Sequence, residues 1–228
     1  MPLPYVPSNY DLIKMLEEKV GLQSGFLVKL YEEDDWSFVI KLHALMEAAC
    51  THLIVAHLEK PELADVIGRL ELSGKTIGKT VILKKLNLLG EFNRRFISSL
   101  SELRNKLVHD IRFSNFTLLK YIQSLDPKSI KNFAESFAPQ ALLDREVSEL
   151  THALQRARLK DGKSTEEFHV RESINISALI EKVHTDPKLY VWTGAYTTLS
   201  AIVEMDWYSD YQQWLDEKRT FESTNDET

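Results

Sequence analysis

Residues 36–58 read WSFVIKLHALMEAACTHLIVAHL, 23 positions without a Gly or a Pro. A run this long and apolar exceeds an ordinary strand and carries no instruction to turn, so it predicts the longest apolar helix of the chain. Glu32, Glu33, Asp34 and Asp35 precede it and place negative charge where a helix N-terminus favours it. Lys41, His43, Glu47 and His52 interrupt the apolar run, which argues against a membrane span. On a helical wheel Ser37, Lys41, Ala44, Ala48 and His52 fall on an outward stripe, whereas Glu47 falls inward among Trp36, Ile40, His43 and Ile54. An inward carboxylate needs a partner.

The rest of the chain repeats the helical signature. It holds 8 Gly and 7 Pro in 228 residues, about 7% of positions where about 12% is usual. Helices are expected over Pro7–Val20, from Pro61 to Leu72, from Val81 to Leu86 and from beyond Gly90 to Phe113. Others follow over 115–125, 128–137, 140–160, 173–184 and 188–216, with Ser8 and Asp11 spaced to cap the first helix. Strict alternation is confined to Phe168-His169-Val170, so the expected fold class is all-α, a helical bundle with a C-terminal helical extension. The expected division is an N-terminal helix and linker over 1–34, a helical core over 35–125, an extension over 126–216 and a flexible acidic tail over 217–228, with a linker at 161–171.

Composition narrows the function classes. A net charge of −6 excludes a protein that coats nucleic acid through broad positive potential, but leaves room for one local cationic site. The single cysteine, Cys50, permits neither an intrachain disulfide nor a cysteine zinc cluster and suits a cytoplasmic location. No secretion signal is read at the start. Gly74-Lys75-Thr76-Ile77-Gly78-Lys79-Thr80 resembles a phosphate loop, yet three residues separate the glycines where four are needed, and no strand precedes them. The seven histidines lack ligand spacing, so neither a metal nor another cofactor is expected. Tyr190, Trp192, Tyr196, Trp207, Tyr208, Tyr211 and Trp214 lie among acids rather than cations, which points to helix packing or self-association.

The chemistry gathers after Gly90. Ile97, Leu100, Leu107, Val108 and Ile111 form an apolar stripe with Arg104 in its middle. A guanidinium there demands either a carboxylate or a route to water, and the economical partner is the inward Glu47. Asn105, His109 and Arg112 line a neighbouring stripe with Arg94 and Ser98. His109 stands about 140° from Arg104 on an ideal helix, so the two share a groove only at the helix edge or with a second subunit. An imidazole near neutrality beside guanidinium groups suffices for RNA cleavage by the substrate's own 2′-hydroxyl. Arg94, Arg95, Lys106 and Arg112 supply the one cationic strip for an RNA backbone. Two plainer readings stand beside this one: a buried Arg104–Glu47 pair that fixes helix register, and a His109 that caps a helix end near Asp110.

Arg104-Asn105-Lys106-Leu107-Val108-His109 resembles the R-x4-6-H motif of HEPN-domain proteins, in which a polar residue commonly follows the Arg. The likeness covers roughly Trp36 to Leu125. Phe38 to Ala49 together with Leu86 to Asp110 is also similar to the mannitol operon repressor family, which has an acid-bearing helix and a Leu-Arg-x4-His-Asp run like Leu103 to Asp110. The HEPN resemblance implies a metal-independent endoribonuclease, a toxin or anti-phage effector, whose two motifs meet in a homodimer. Arg104 would hold phosphate, His109 would transfer protons and Asn105 would orient the site, with Glu47 in support and Arg94, Lys106 and Arg112 on the RNA. An antitoxin or regulatory protein is the implied partner, although Ile111 stands where some HEPN toxins carry a modifiable Tyr. The mannitol repressor likeness implies instead a non-catalytic regulatory or scaffold protein.

Overall fold

The computed structural model describes residues 9–74, 76–109, 115–138 and 178–205, and every regular element among them is helical. In chain order these are α1 (Asn9–Lys19), α2 (Phe26–Tyr31), α3 (Asp35–Leu58), α4 (Ala64–Gly68, entered through a 3-10 turn at Pro61–Leu63), α5 (Lys79–Lys85), α6 (Glu91–His109), α7 (Leu118–Gln123) and α8 (Pro127–Phe137). Residues 178–185 (α9) and 187–205 (α10) are also helical. The expected all-α class is therefore observed. The expected Ser8 cap, the helix over 140–160, the linker at 161–171 and the tail over 217–228 lie outside the described residues.

The long apolar run becomes α3, the central helix, with α2, α4, α5 and α6 packed against it. Its start is set by Asp34, whose carboxylate accepts the Ser37 N–H at 3.0 Å, and its end by Glu59 in the left-handed region at φ 53°. Phe38, Leu42, Met46, Ala49, Leu53 and Ile54 are buried in it, so its apolar content is used inside the fold. It is the one helix among the described residues long and apolar enough to cross a membrane, and half of that apolar window is buried in the protein. Lys41, Ala44 and Ala48 form the outward row that the wheel placed there. Trp36 does not follow the wheel and is exposed, because its turn is docked through the preceding residue. The Asp35 carboxylate accepts the Leu118 N–H at 2.7 Å and pairs with Lys188 at 3.3 Å.

Cys50 lies on α3 with no exposure at all. Burial pushes its thiol up to about 12, with Lys79 opposing the rise and Glu47 adding to it. Native protein at pH 8 should accordingly resist a disulfide reagent, with stoichiometric labelling appearing only in denaturant. Rapid native labelling would show that the core around α3 opens.

Helix α2 was not expected, since Gly21 and Gly25 read as a loose stretch. Its N-terminus is capped from a distance. The carboxylate of Glu17, buried on α1, accepts the N–H groups of Gly25 at 2.6 Å and Leu27 at 2.9 Å, and Gly25 supplies the left-handed φ of 82° that turns the chain. Conversely, the helix expected from Pro61 to Leu72 ends at Gly68.

Residues before and after position 125 belong to one hydrophobic core, which runs from Ile13 to Val203 and includes Phe133, Phe137, Val191, Ala195, Leu199 and Ile202. Asp186 caps α10 by accepting the Leu189 N–H at 3.1 Å, just ahead of Pro187. Trp192 donates its indole N–H to Leu27 O at 2.9 Å, meets Tyr31 edge-on and stacks on Tyr196, so these two aromatics serve helix packing, whereas Trp207, Tyr208, Tyr211 and Trp214 lie outside the described residues. Gly194 lets α10 approach closely: a Cβ there would come within 2.2 Å of Phe137 O and 2.8 Å of the Phe96 ring.

Candidate functional site

Three helices, α3, α5 and α6, bring the charged residues of interest together. The glycine loop Gly74–Thr80 builds the first part. A Cβ on Gly74 would lie 2.1 Å from Ile77 O, and one on Gly78 would lie 2.5 Å from Gly74 N, so only glycines allow the chain to fold back this tightly. The Lys79 N–H then reaches Glu71 O at 2.9 Å and the Thr80 N–H reaches Leu72 O at 3.1 Å. This register aims the Lys79 side chain inward. It is fully buried, and its ammonium donates to Glu47 Oε1 at 2.9 Å and to Gly68 O at 3.1 Å.

The partner of Glu47 is therefore Lys79, which corrects the expected Glu47–Arg104 pair. Arg104 satisfies its charge in the other way open to it. Ile97, Ser101, Arg104 and Val108 follow one row along α6, and the row surfaces toward its C-terminal end. Ile97 is fully buried, Ser101 nearly so, Arg104 half-buried and Val108 40% exposed. The apolar stripe is centred on Phe96, Leu100, Leu103 and Leu107, so Val108 is no part of the core and Arg104 stands on the rim rather than in the middle. Its guanidinium reaches water, and Nη1 donates to the neutral amide oxygen of Asn105 at 3.0 Å. Asn105 thus holds Arg104 without cancelling its charge.

His43 completes the cluster from α3, one turn before Glu47 and on the same side. Only 8% exposed, it lies within electrostatic reach of Glu47, Lys79 and Arg104. Burial lowers its proton affinity most, Glu47 raises it, and Arg104 and Lys79 lower it further. Because the native value is depressed below 6.5, the unfolded chain binds the extra proton. The contribution of neutral His43 to stability is complete above that unfolded value and is lost as pH falls through it toward the native one. Urea unfolding from pH 7.5 to 5.5 should show stability falling on this account by at most about 1.4 kcal/mol per pH unit. His43→Gln should flatten that part of the slope, and an unchanged slope would remove His43 from the account.

The remaining expected site residues divide into bound and free. Lys106 donates to the Tyr121 hydroxyl at 3.0 Å and lies over its ring, and Arg94 donates to the carbonyl of Leu89. Both are thus engaged within the chain. His109 is exposed in the last turn of α6, and Arg112 lies outside the described residues. Lys79 and His43 are the two members that the sequence reading did not assign to the site. His43 was visible four residues ahead of Glu47, whereas Lys79 was hidden in a glycine loop set aside as a failed phosphate site. Among the described residues no three His, Cys, Asp or Glu side chains gather in a way that could hold a metal.

No protein-family model matches the sequence, and comparison with curated proteins and with solved structures gives no match.

Proposed function

We propose that this chain is a HEPN-like, metal-independent endoribonuclease of toxin or anti-phage type, working as a homodimer in the cytoplasm. One observation carries the reading: Arg104, half-buried at the rim of α6, has its guanidinium held by a neutral amide, while the carboxylate of Glu47 is taken by Lys79. Among the described residues no carboxylate pairs with Arg104, and a phosphodiester would meet its positive charge there. His109, exposed at the end of the same helix, supplies an imidazole for proton transfer. In the reaction the 2′-oxygen of RNA forms a bond to phosphorus as its proton passes to one imidazole. The bond from phosphorus to the 5′-oxygen breaks as a proton is delivered to the leaving oxygen, and Arg104 stabilises the extra charge on the phosphorane. The products are a 2′,3′-cyclic phosphate and a 5′-hydroxyl. The wheel angle between Arg104 and His109 favours a site completed by a second copy.

The internal engagement of Lys106, Arg94 and Arg95, the last donating to Glu135 O at 2.5 Å, favours a second reading, a non-catalytic regulatory or scaffold protein of mannitol repressor-like type, because it removes three cations from the RNA strip. Incubation of total tRNA and mRNA with the purified protein, with and without chelator, separates the two. The nuclease reading expects chelator-resistant fragments with cyclic phosphate ends. Intact RNA in both arms would leave the scaffold.

A further inference from the structure

One face of α5 is cationic and open. Lys79, Thr80 and Leu83 form its buried side, whereas Lys84 and Lys85 are exposed, with half-buried Val81 between them on the helical wheel. Ile77, at the tip of the tight glycine turn that leads into α5, is 71% exposed. From Leu72 to Gly90 the chain carries four lysines and no acid, in a protein of net charge −6. Glu47 answers Lys79, and among the described residues neither Lys84 nor Lys85 makes an ion pair.

The end of α10 comes to this face. Gly194 packs on the Phe96 ring, and the Thr198 hydroxyl donates to Asn93 Oδ1 at 3.4 Å, so α10 runs antiparallel to α6, toward the first residue of that helix. From Thr198 to Met205 α10 advances about 10 Å, whereas only about 3 Å of α6 remain between Asn93 and Glu91. It therefore ends past the start of α6, at the turn 86–90 that follows Lys85. Residues 206–217 continue from there and lie outside the described residues. They hold four acids and neither Lys nor Arg, and Trp207, Tyr211 and Trp214 recur at the spacing of one helical face. Segment and face complement each other in charge and in apolar content.

We propose that residues 206–217 turn back onto the open face of α5, setting their aromatic stripe on Val81 and Ile77 and their carboxylates against Lys84 and Lys85. As a helix, Trp207 to Trp214 spans about 10 Å, the length of the seven-residue α5. The tether to α10 makes the contact intramolecular and gives it an effective concentration that a free partner lacks. None of Arg104, Asn105 and His109 takes part, so the contact stands whether or not the chain cleaves RNA.

The test is cross-linking of the full chain carrying Lys84→Cys and Asp210→Cys with a short bismaleimide, the native Cys50 being fully buried. A bridged monomer should form at a rate independent of protein concentration, and about tenfold or more faster than in a control pairing Lys120→Cys with Asp210→Cys. Lys120 is exposed on α7, whose Tyr121 meets Lys106 near the opposite end of α6. Lys85→Glu added to the first pair should slow bridging about threefold, the size of a surface charge contact, and a further Asp206→Lys should restore the rate. Bridging confined to covalent dimers, faster at higher concentration, would make a second copy the occupant and overturn the intrachain contact. A monomer bridge no faster than that of the Lys120 control would also overturn it, and a rate unchanged by Lys85→Glu would overturn the charge pairing on which it depends.

Discussion

Replacing Lys79 by Ala is expected to lower folding stability by about 3–5 kcal/mol, the range seen when one partner of a buried ion pair is removed. The ammonium is fully enclosed and serves two acceptors at once, Glu47 Oε1 at 2.9 Å and Gly68 O at 3.1 Å. Truncation leaves both without their donor and opens a void where the alkyl stem lay. Glu47 is 38% exposed, so water recovers some of its solvation and the lower part of that range is favoured. For a chain of this size the melting temperature should fall by roughly 10 °C. Lys79→Met, which keeps the volume, should cost less, and adding Glu47→Gln to it should recover part of the loss. A melting temperature unchanged in Lys79→Ala would show that the Glu47–Lys79 contact does not hold α3 and α5 together.

The second large effect falls on activity and spares the fold. Both His109→Ala and Arg104→Ala are expected to reduce RNA cleavage by about 10²–10⁴-fold, the usual range for loss of a general acid–base group or of transition-state charge stabilisation. Stability should change by no more than about 1 kcal/mol, since His109 is exposed and Arg104 sits on a rim bonded to its neighbour. Arg104→Lys should restore little, because a single ammonium lacks the guanidinium fork. Mixing His109→Ala with Arg104→Ala subunits should regain part of the activity if the site is shared between two copies. Cleavage equal to wild type in both single variants would end the nuclease reading.

The long helix was legible because its 23 uninterrupted residues admit no other element, and Asp34 caps it by a rule confined to neighbouring positions. What escaped the sequence was non-local. The Glu17 carboxylate that caps α2 stands eight and ten residues from the amides it satisfies. Lys79 meets Glu47 across 32 residues through a loop whose purpose is its own tight turn. The wheel centred the apolar stripe of α6 on Arg104, whereas the buried stripe follows Phe96, Leu100, Leu103 and Leu107, which leaves Arg104 and Val108 on its rim. Of the two ways open to a guanidinium there, a carboxylate or a route to water, the structure takes the second. The wheel likewise placed Glu47 and His43 on one side of α3, and it could not say which of several cations would answer them.

The nuclease proposal requires that Glu47 be committed to Lys79, leaving the charge of Arg104 for an anion. Two double-mutant cycles measured by urea unfolding test it directly, one combining Glu47→Gln with Lys79→Met and the other combining Glu47→Gln with Arg104→Met. Coupling of about 1–3 kcal/mol is expected in the first cycle, and less than about 0.5 kcal/mol in the second. The reverse pattern, with Glu47 strongly coupled to Arg104 and indifferent to Lys79, would contradict the account and return Arg104 to a purely structural role.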